Sequence, residues 1–89
     1  MIDLKDAYML VKEENKCDVY EQYFYTDDYY LFTIDKGGEW MSGVSTVFVD
    51  RQNGKMYKNV EDLLKEKNIS KQEFAKSLKK DCKEGIVEL

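Results

Sequence analysis

The chain has 89 residues, of which 43% are hydrophobic, 36% charged and 13% aromatic. Its net charge is −4, with seven tyrosines and neither proline nor histidine. Such an apolar share supports one packed domain over residues 1–89, and the length leaves no room for a second. Without histidine there is no Ser-His-Asp or Cys-His machinery, no His-containing zinc site and no imidazole switch. A domain of this size has a net stability of roughly 5 kcal/mol or a little more, which leaves little to support a strained active site. The expectation is a binding module with no cofactor, not an enzyme.

The first predicted element is a helix from Asp3 to about Asn15. Asp3 can cap it, Asp3 and Asp6 suit its positive end, and Leu4, Ala7, Tyr8 and Val11 form an apolar stripe at helical spacing. From Val19 the chain turns β-branched and aromatic, which favours strands. Val19–Tyr25 and Tyr29–Asp35 read as strands joined by the turn residues Thr26, Asp27 and Asp28. Alternation puts Tyr30, Phe32 and Ile34 on one face, and Tyr29, Leu31 and Thr33 on the other. A turn at Lys36-Gly37-Gly38-Glu39 leads through Trp40 to a third strand, Val44–Asp50. Arg51-Gln52-Asn53-Gly54 is a hairpin signal, followed by a short strand at Lys55–Tyr57.

Two helices close the chain. Asn59 caps Val60–Lys67, with Val60, Leu63 and Leu64 facing inward. Ser70 and Glu73 fit a capping box, and Ile69 with Phe74 fits a hydrophobic staple. The core stripe then runs through Phe74, Leu78 and Cys82 until Gly85 stops the helix. Ile86–Leu89 either adds an edge strand or frays. The fold class is α+β: an N-terminal helix, an antiparallel meander of three to four strands, and two C-terminal helices packed on one sheet face.

Cys17 and Cys82 are separated by 64 residues, with no C-x-x-C spacing. With no secretory signal and no transmembrane run, a reducing cytoplasm is the expected location, and both cysteines are expected to be small buried thiols. No membrane contact is anticipated.

The net charge conceals unlike halves. Residues 1–50 hold eleven acids against four lysines, whereas residues 51–89 hold ten bases against seven acids. An acidic half argues against nucleic acid as a direct ligand, since phosphate contacts need Lys or Arg. It suits a basic protein partner reached by electrostatic steering, or else a solvated face kept for solubility. The densest feature, Tyr20 to Tyr30, interleaves tyrosines with Glu21, Asp27 and Asp28. Tyrosine combines rigid contact area with a hydroxyl, as interface hot spots require, but alternate tyrosines also simply pack in a two-sided sheet. Carboxylate pairs such as Asp27–Asp28 and Asp35–Glu39 fall at turns, where water keeps them ordinary, and EF-hand spacing for calcium is absent. Gly37-Gly38 lacks the context of a phosphate loop. The lysines of the last helix, without arginine or interleaved aromatics, read as a solvated face.

Ser45 through Met56 (a hydrophobic strand ending in Asp50, then the Asn53-Gly54 turn), followed by Val60-Glu61-Asp62-Leu63-Leu64, resembles the YrhB-like bacterial immunity-protein family. The Tyr30-Leu31-Phe32 strand and the N-terminal helix fall in the matching order, so the resemblance spans most of the chain. It implies a cytoplasmic protein that binds and neutralises a polymorphic toxin by occlusion, with no catalytic residues. Nuclease toxins are often basic, because they hold phosphates. The expected partner-binding patch is therefore Tyr23, Tyr25, Asp27, Asp28, Tyr29, Glu39 and Trp40, on a monomer or weak homodimer. Two other classes fit the same residues: a phage-type nucleic-acid mimic that inhibits a host nuclease, and a small structural or chaperone-like domain.

Overall fold

The computed structural model describes residues 1–16, 18–35 and 44–88. Cys17, the turn expected at 36–39, Trp40 and Leu89 lie outside the described residues. In chain order the elements are α1 (Leu4–Asn15), β1 (Asp18–Tyr25), β2 (Tyr29–Asp35), β3 (Val44–Asp50), β4 (Met56–Tyr57), α2 (Val60–Lys67), α3 (Lys71–Asp81) and β5 (Lys83–Ile86). The strands form an antiparallel sheet in the order β4-β3-β2-β1-β5. This is the α+β fold that the sequence predicts, with one additional strand.

Periodicity decides which side chains go where. On one face of the sheet, Tyr30, Phe32 and Ile34 of β2 and Val47 and Val49 of β3 are buried with Ala7, Tyr8 and Val11 of α1. On the other face, Leu31, Phe48 and Tyr57 are buried with Leu63 of α2 and Phe74 of α3. The C-terminal helices therefore share one face, as anticipated, and α1 takes the opposite one. Each large side chain so buried contributes about 1.5–3 kcal/mol of transfer free energy. The caps behave largely as predicted: Asn59 Oδ1 accepts from Asp62 N at 2.9 Å, and Ser70 Oγ accepts from Glu73 N at 3.1 Å. Asp3 stands at the N-cap of α1, but its side chain makes no capping hydrogen bond. Ile69 and Phe74 pack in the same cluster, as a staple requires.

The C-terminus departs from expectation. The last helix ends at Asp81, and Cys82 caps it with an extended backbone (φ −75°, ψ 125°). Cys82 is exposed and does not extend the core stripe. The chain then reverses to lay β5 against β1, pairing Tyr23 with Gly85 and Tyr25 with Lys83. Gly85 is thus a strand residue and does not stop the helix. The Tyr23 ring lies over it, and a Cβ at Gly85 would sit 2.9 Å from Tyr23 Cε1, Cζ and Oη. That ring is held by Tyr25, Tyr30 and Phe32, whose centroids are 5.5, 6.2 and 6.0 Å away, so it has little freedom to yield. Helix propensity and the apolar spacing of Leu78 and Cys82 carry no signal of this long-range pairing.

Replacing Gly85 by Ala should lower the unfolding free energy by about 1–3 kcal/mol, the usual range for overpacking. In a Tyr23→Ala background the same change should cost much less. A double-mutant cycle by urea denaturation measures the difference, and an equal cost in both backgrounds would separate Gly85 from Tyr23.

Candidate functional site

The antiparallel meander brings two turns together at one end of the sheet, the β1–β2 turn at 26–28 and the β3–β4 turn at 51–55. Thr26 is buried and organises the first. Its Oγ1 accepts from Asp28 N at 3.2 Å and Tyr29 N at 3.1 Å, and its own N–H donates to Tyr29 O at 2.9 Å. Arg51, the single arginine of the chain, ties this turn to the second. Its Nη1 donates to Thr26 O at 2.6 Å, its backbone N–H donates to Asp28 O at 2.9 Å, and its guanidinium lies 4.8 Å from the Tyr30 ring centroid. Its carbonyl accepts from Ile2 N at 2.8 Å, which fastens the N-terminal segment to the same end. A planar guanidinium suits both tasks, stacking on an aromatic face while donating at its rim.

Asp50 completes the junction. It is only 5% exposed, and its Oδ1 accepts from Gln52 N at 2.8 Å while Oδ2 meets Lys67 Nζ at 2.9 Å. Burial alone would push this carboxyl up. The Lys67 ammonium and the backbone N–H groups of Gln52 and Asn53 outweigh it and hold the group below its ordinary value. Gly54 N donates to Asp50 O at 2.8 Å, and Gly54 takes the left-handed φ of 74° that closes the hairpin. The strand–Asp–Asn-Gly pattern is therefore a structural device that joins the hairpin to the end of α2.

Among the described residues, those singled out from sequence do not share one surface. Tyr23 and Tyr25 are half-buried beside the α1-side core. Tyr29 is on the opposite face, its ring edge-on to Phe74 at 6.0 Å. The pleat makes this unavoidable, since Tyr25 pairs with Tyr30 and Tyr29 is one residue away from it. Burial pushes the Tyr23 phenol up, with Tyr25 and Tyr30 adding to the effect, and burial likewise raises Tyr29. Both hydroxyls are neutral donors near pH 7. Asp27 and Asp28 are exposed at the tip between the two faces. Beside them a polar hollow of about 430 Å³ is lined by Asp28, Tyr29, Asp50, Gln52, Asn53 and Lys67. Glu39 and Trp40 lie outside the described residues. Among the described residues, no three or more Cys, Asp or Glu side chains come together as a metal site, and no helix is long and apolar enough to cross a membrane.

Sequence reasoning passed over two features. Arg51 appeared only as a turn residue, because its partners Thr26 and Tyr30 are remote in sequence. Phe24 and Ile86 were also missed. They are 39% and 67% exposed, on a part of the sheet that α2 and α3 do not cover. The alternation of Phe24 with Tyr23 and Tyr25 was the available signal. Compared with protein-family models, with curated proteins and with solved structures, the chain matches none.

The Asp50–Lys67 pair gives a signed pH prediction. The Asp50 pKa is depressed on folding, so its stabilisation is complete above the ordinary carboxylate value of about 3.9 and is lost as the pH falls through the lower folded value. Asp50→Asn should cost about 1–3 kcal/mol at neutral pH, the range for losing a charged hydrogen bond. The gap between wild type and variant should close in acid, read from urea midpoints across the pH range. A gap independent of pH would remove Asp50 from this role.

Proposed function

We propose that the protein is a toxin-neutralising immunity protein of the YrhB-like type, acting in the cytoplasm. It binds a basic protein toxin, a nuclease in the first instance, and occludes it without chemistry of its own. The observation that carries this reading is a pair of exposed carboxylates, Asp27 and Asp28, on a turn whose backbone is already fixed by Thr26 and Arg51. A fixed turn loses little entropy when a partner docks, and its charge speeds encounter with a cationic surface. Asp18 and Glu21 on β1 are also exposed, and residues 18–28 include no base. The acidity of the N-terminal half is thus presented to solvent around this turn. The resemblance of residues 45–64 to the immunity family supplies the biological role, and the acidity supplies the kind of toxin.

Co-expression with a toxin encoded immediately upstream tests the proposal. The wild-type protein should protect growth and bind the toxin stoichiometrically. Asp27→Lys with Asp28→Lys should slow association by ~10-fold or more and flatten its salt dependence, leaving the melting temperature close to wild type. Unchanged affinity and salt dependence would exclude the turn from the interface. Failure to neutralise any neighbouring toxin would overturn the immunity reading itself.

A further inference from the structure

We propose that the open edge of β5, with the adjoining outer face of β1, is a docking strip for an extended basic–apolar–basic segment of a partner protein. The inference rests on the reading of a basic partner and specifies which backbone edge and side chains receive it.

The ladder phase sets the edge. Val87 N donates to Glu21 O at 2.8 Å, so the pair 21–87 and its alternates, Tyr23–Gly85 and Tyr25–Lys83, exchange hydrogen bonds within the sheet. Glu84 and Ile86 fall between them and turn their N–H and C=O groups away from β1. Among the described residues no strand takes up that edge. Their side chains alternate with Gly85 and Val87, with Glu84 opposite Phe24 and Ile86 opposite Gln22, and Ile86 and Glu88 border a hollow shared with Asp3, Leu4, Lys5 and Asp6 at the start of α1. Gln22 Nε2 donates to Glu84 Oε2 at 3.0 Å, which holds that carboxylate in place.

The strip therefore presents Glu84, Ile86 and Glu88 at alternate positions, acid, apolar and acid, beside the half-open ring of Phe24. Edges are commonly protected by short strands and charge, and β5 has both. An isoleucine left 67% exposed in the middle of such an edge is the opposite of protection. The helices do not cover it, because their buried cluster draws on β2, β3 and β4.

Charge selects the occupant. Asp18, Glu21, Asp27, Asp28, Glu84 and Glu88 are all exposed on β1, its turn and the β5 segment, where Lys83 is the one base among the described residues; across the hollow beside Ile86 and Glu88, Lys5 is offset by Asp3 and Asp6. A second copy of the chain would bring two such acidic edges into one ladder, and like charges across a ladder are destabilising. A strand with Lys or Arg opposite Glu84 and Glu88, and an apolar residue opposite Ile86, satisfies the backbone edge and the side chains together. Strand addition of this kind draws affinity from main-chain hydrogen bonds and specificity from alternate side chains.

The test is a titration of the ¹⁵N-labelled full chain with a short capped peptide that alternates Arg, Val and Arg on one face with threonine on the other. Saturable amide shifts should centre on Gln22, Phe24, Glu84, Ile86 and Glu88, with slowed hydrogen exchange at Glu84 and Ile86. The same peptide with Glu for Arg should not bind. Ile86→Lys, at an exposed position, should keep the wild-type spectrum and weaken binding by ~10-fold or more. Absence of saturable shifts overturns the proposal. So do shifts confined to Asp27 and Asp28 with Ile86→Lys binding normally, although that result leaves the basic-partner reading in place. Failure of neutralisation in the co-expression assay strikes that reading and leaves the peptide result standing.

Discussion

Strand β2 is apolar on both faces, and much of the architecture follows from that. Tyr30, Phe32 and Ile34 point one way and Leu31 the other, and all four are buried. A strand with no solvent face needs a helical layer on each side, so α1 and the α2–α3 pair cannot share one. The flanking strands inherit this division. β3 sends Val47 and Val49 to α1 and Phe48 to α2 and α3. The buried cluster under the C-terminal helices draws no residue from β1, and Phe24 on that strand remains 39% exposed. The exposed Phe24 is a consequence of where the helical layer ends.

The turn end of the sheet is the second organising element. Four segments distant in sequence converge there: the N-terminal residues at Ile2, the β1–β2 turn, the β3–β4 turn and the end of α2. Arg51 and Asp50 are adjacent, of opposite charge, and engage different partners. Arg51 reaches Thr26 and Tyr30, whereas Asp50 takes Gln52 and Lys67. Because these two groups settle the backbone and the buried charge, the carboxylates of Asp27 and Asp28 are not consumed in holding the turn. A recognition surface needs that separation, with one set of residues fixing geometry and another left to meet a partner.

The tyrosine-rich segment changes meaning in this setting. As a string, Tyr20 to Tyr30 is a single dense feature. In the fold it is divided by the pleat and the turn. Tyr23, Tyr25 and Tyr30 build an aromatic layer with Phe32 under the N-terminal helix, and Tyr29 abuts Phe74 across the sheet. Much of the tyrosine content therefore serves packing. The exposed carboxylates, with Phe24 and Ile86, are left facing solvent.

The sequence alone determined the elements whose cause is local. Residues 29–35, 44–50 and 60–67 are bounded as alternation, turn chemistry and the Asn59 cap dictate. The α+β class and the helix that begins after Ser70 follow from the same short-range rules. Tertiary structure decided what depends on residues remote in the chain. β5 exists because Gly85 lets the Tyr23 ring cross it, and a helical pattern ending in Cys82 gives no notice of a partner strand some sixty residues earlier. The faces of the tyrosines, the clamp of Arg51 on Thr26 and the exposure of Ile86 depend likewise on pairing register and on how far a helical layer extends. Local composition constrains neither, because both are set by contacts that form only when the whole sheet is assembled.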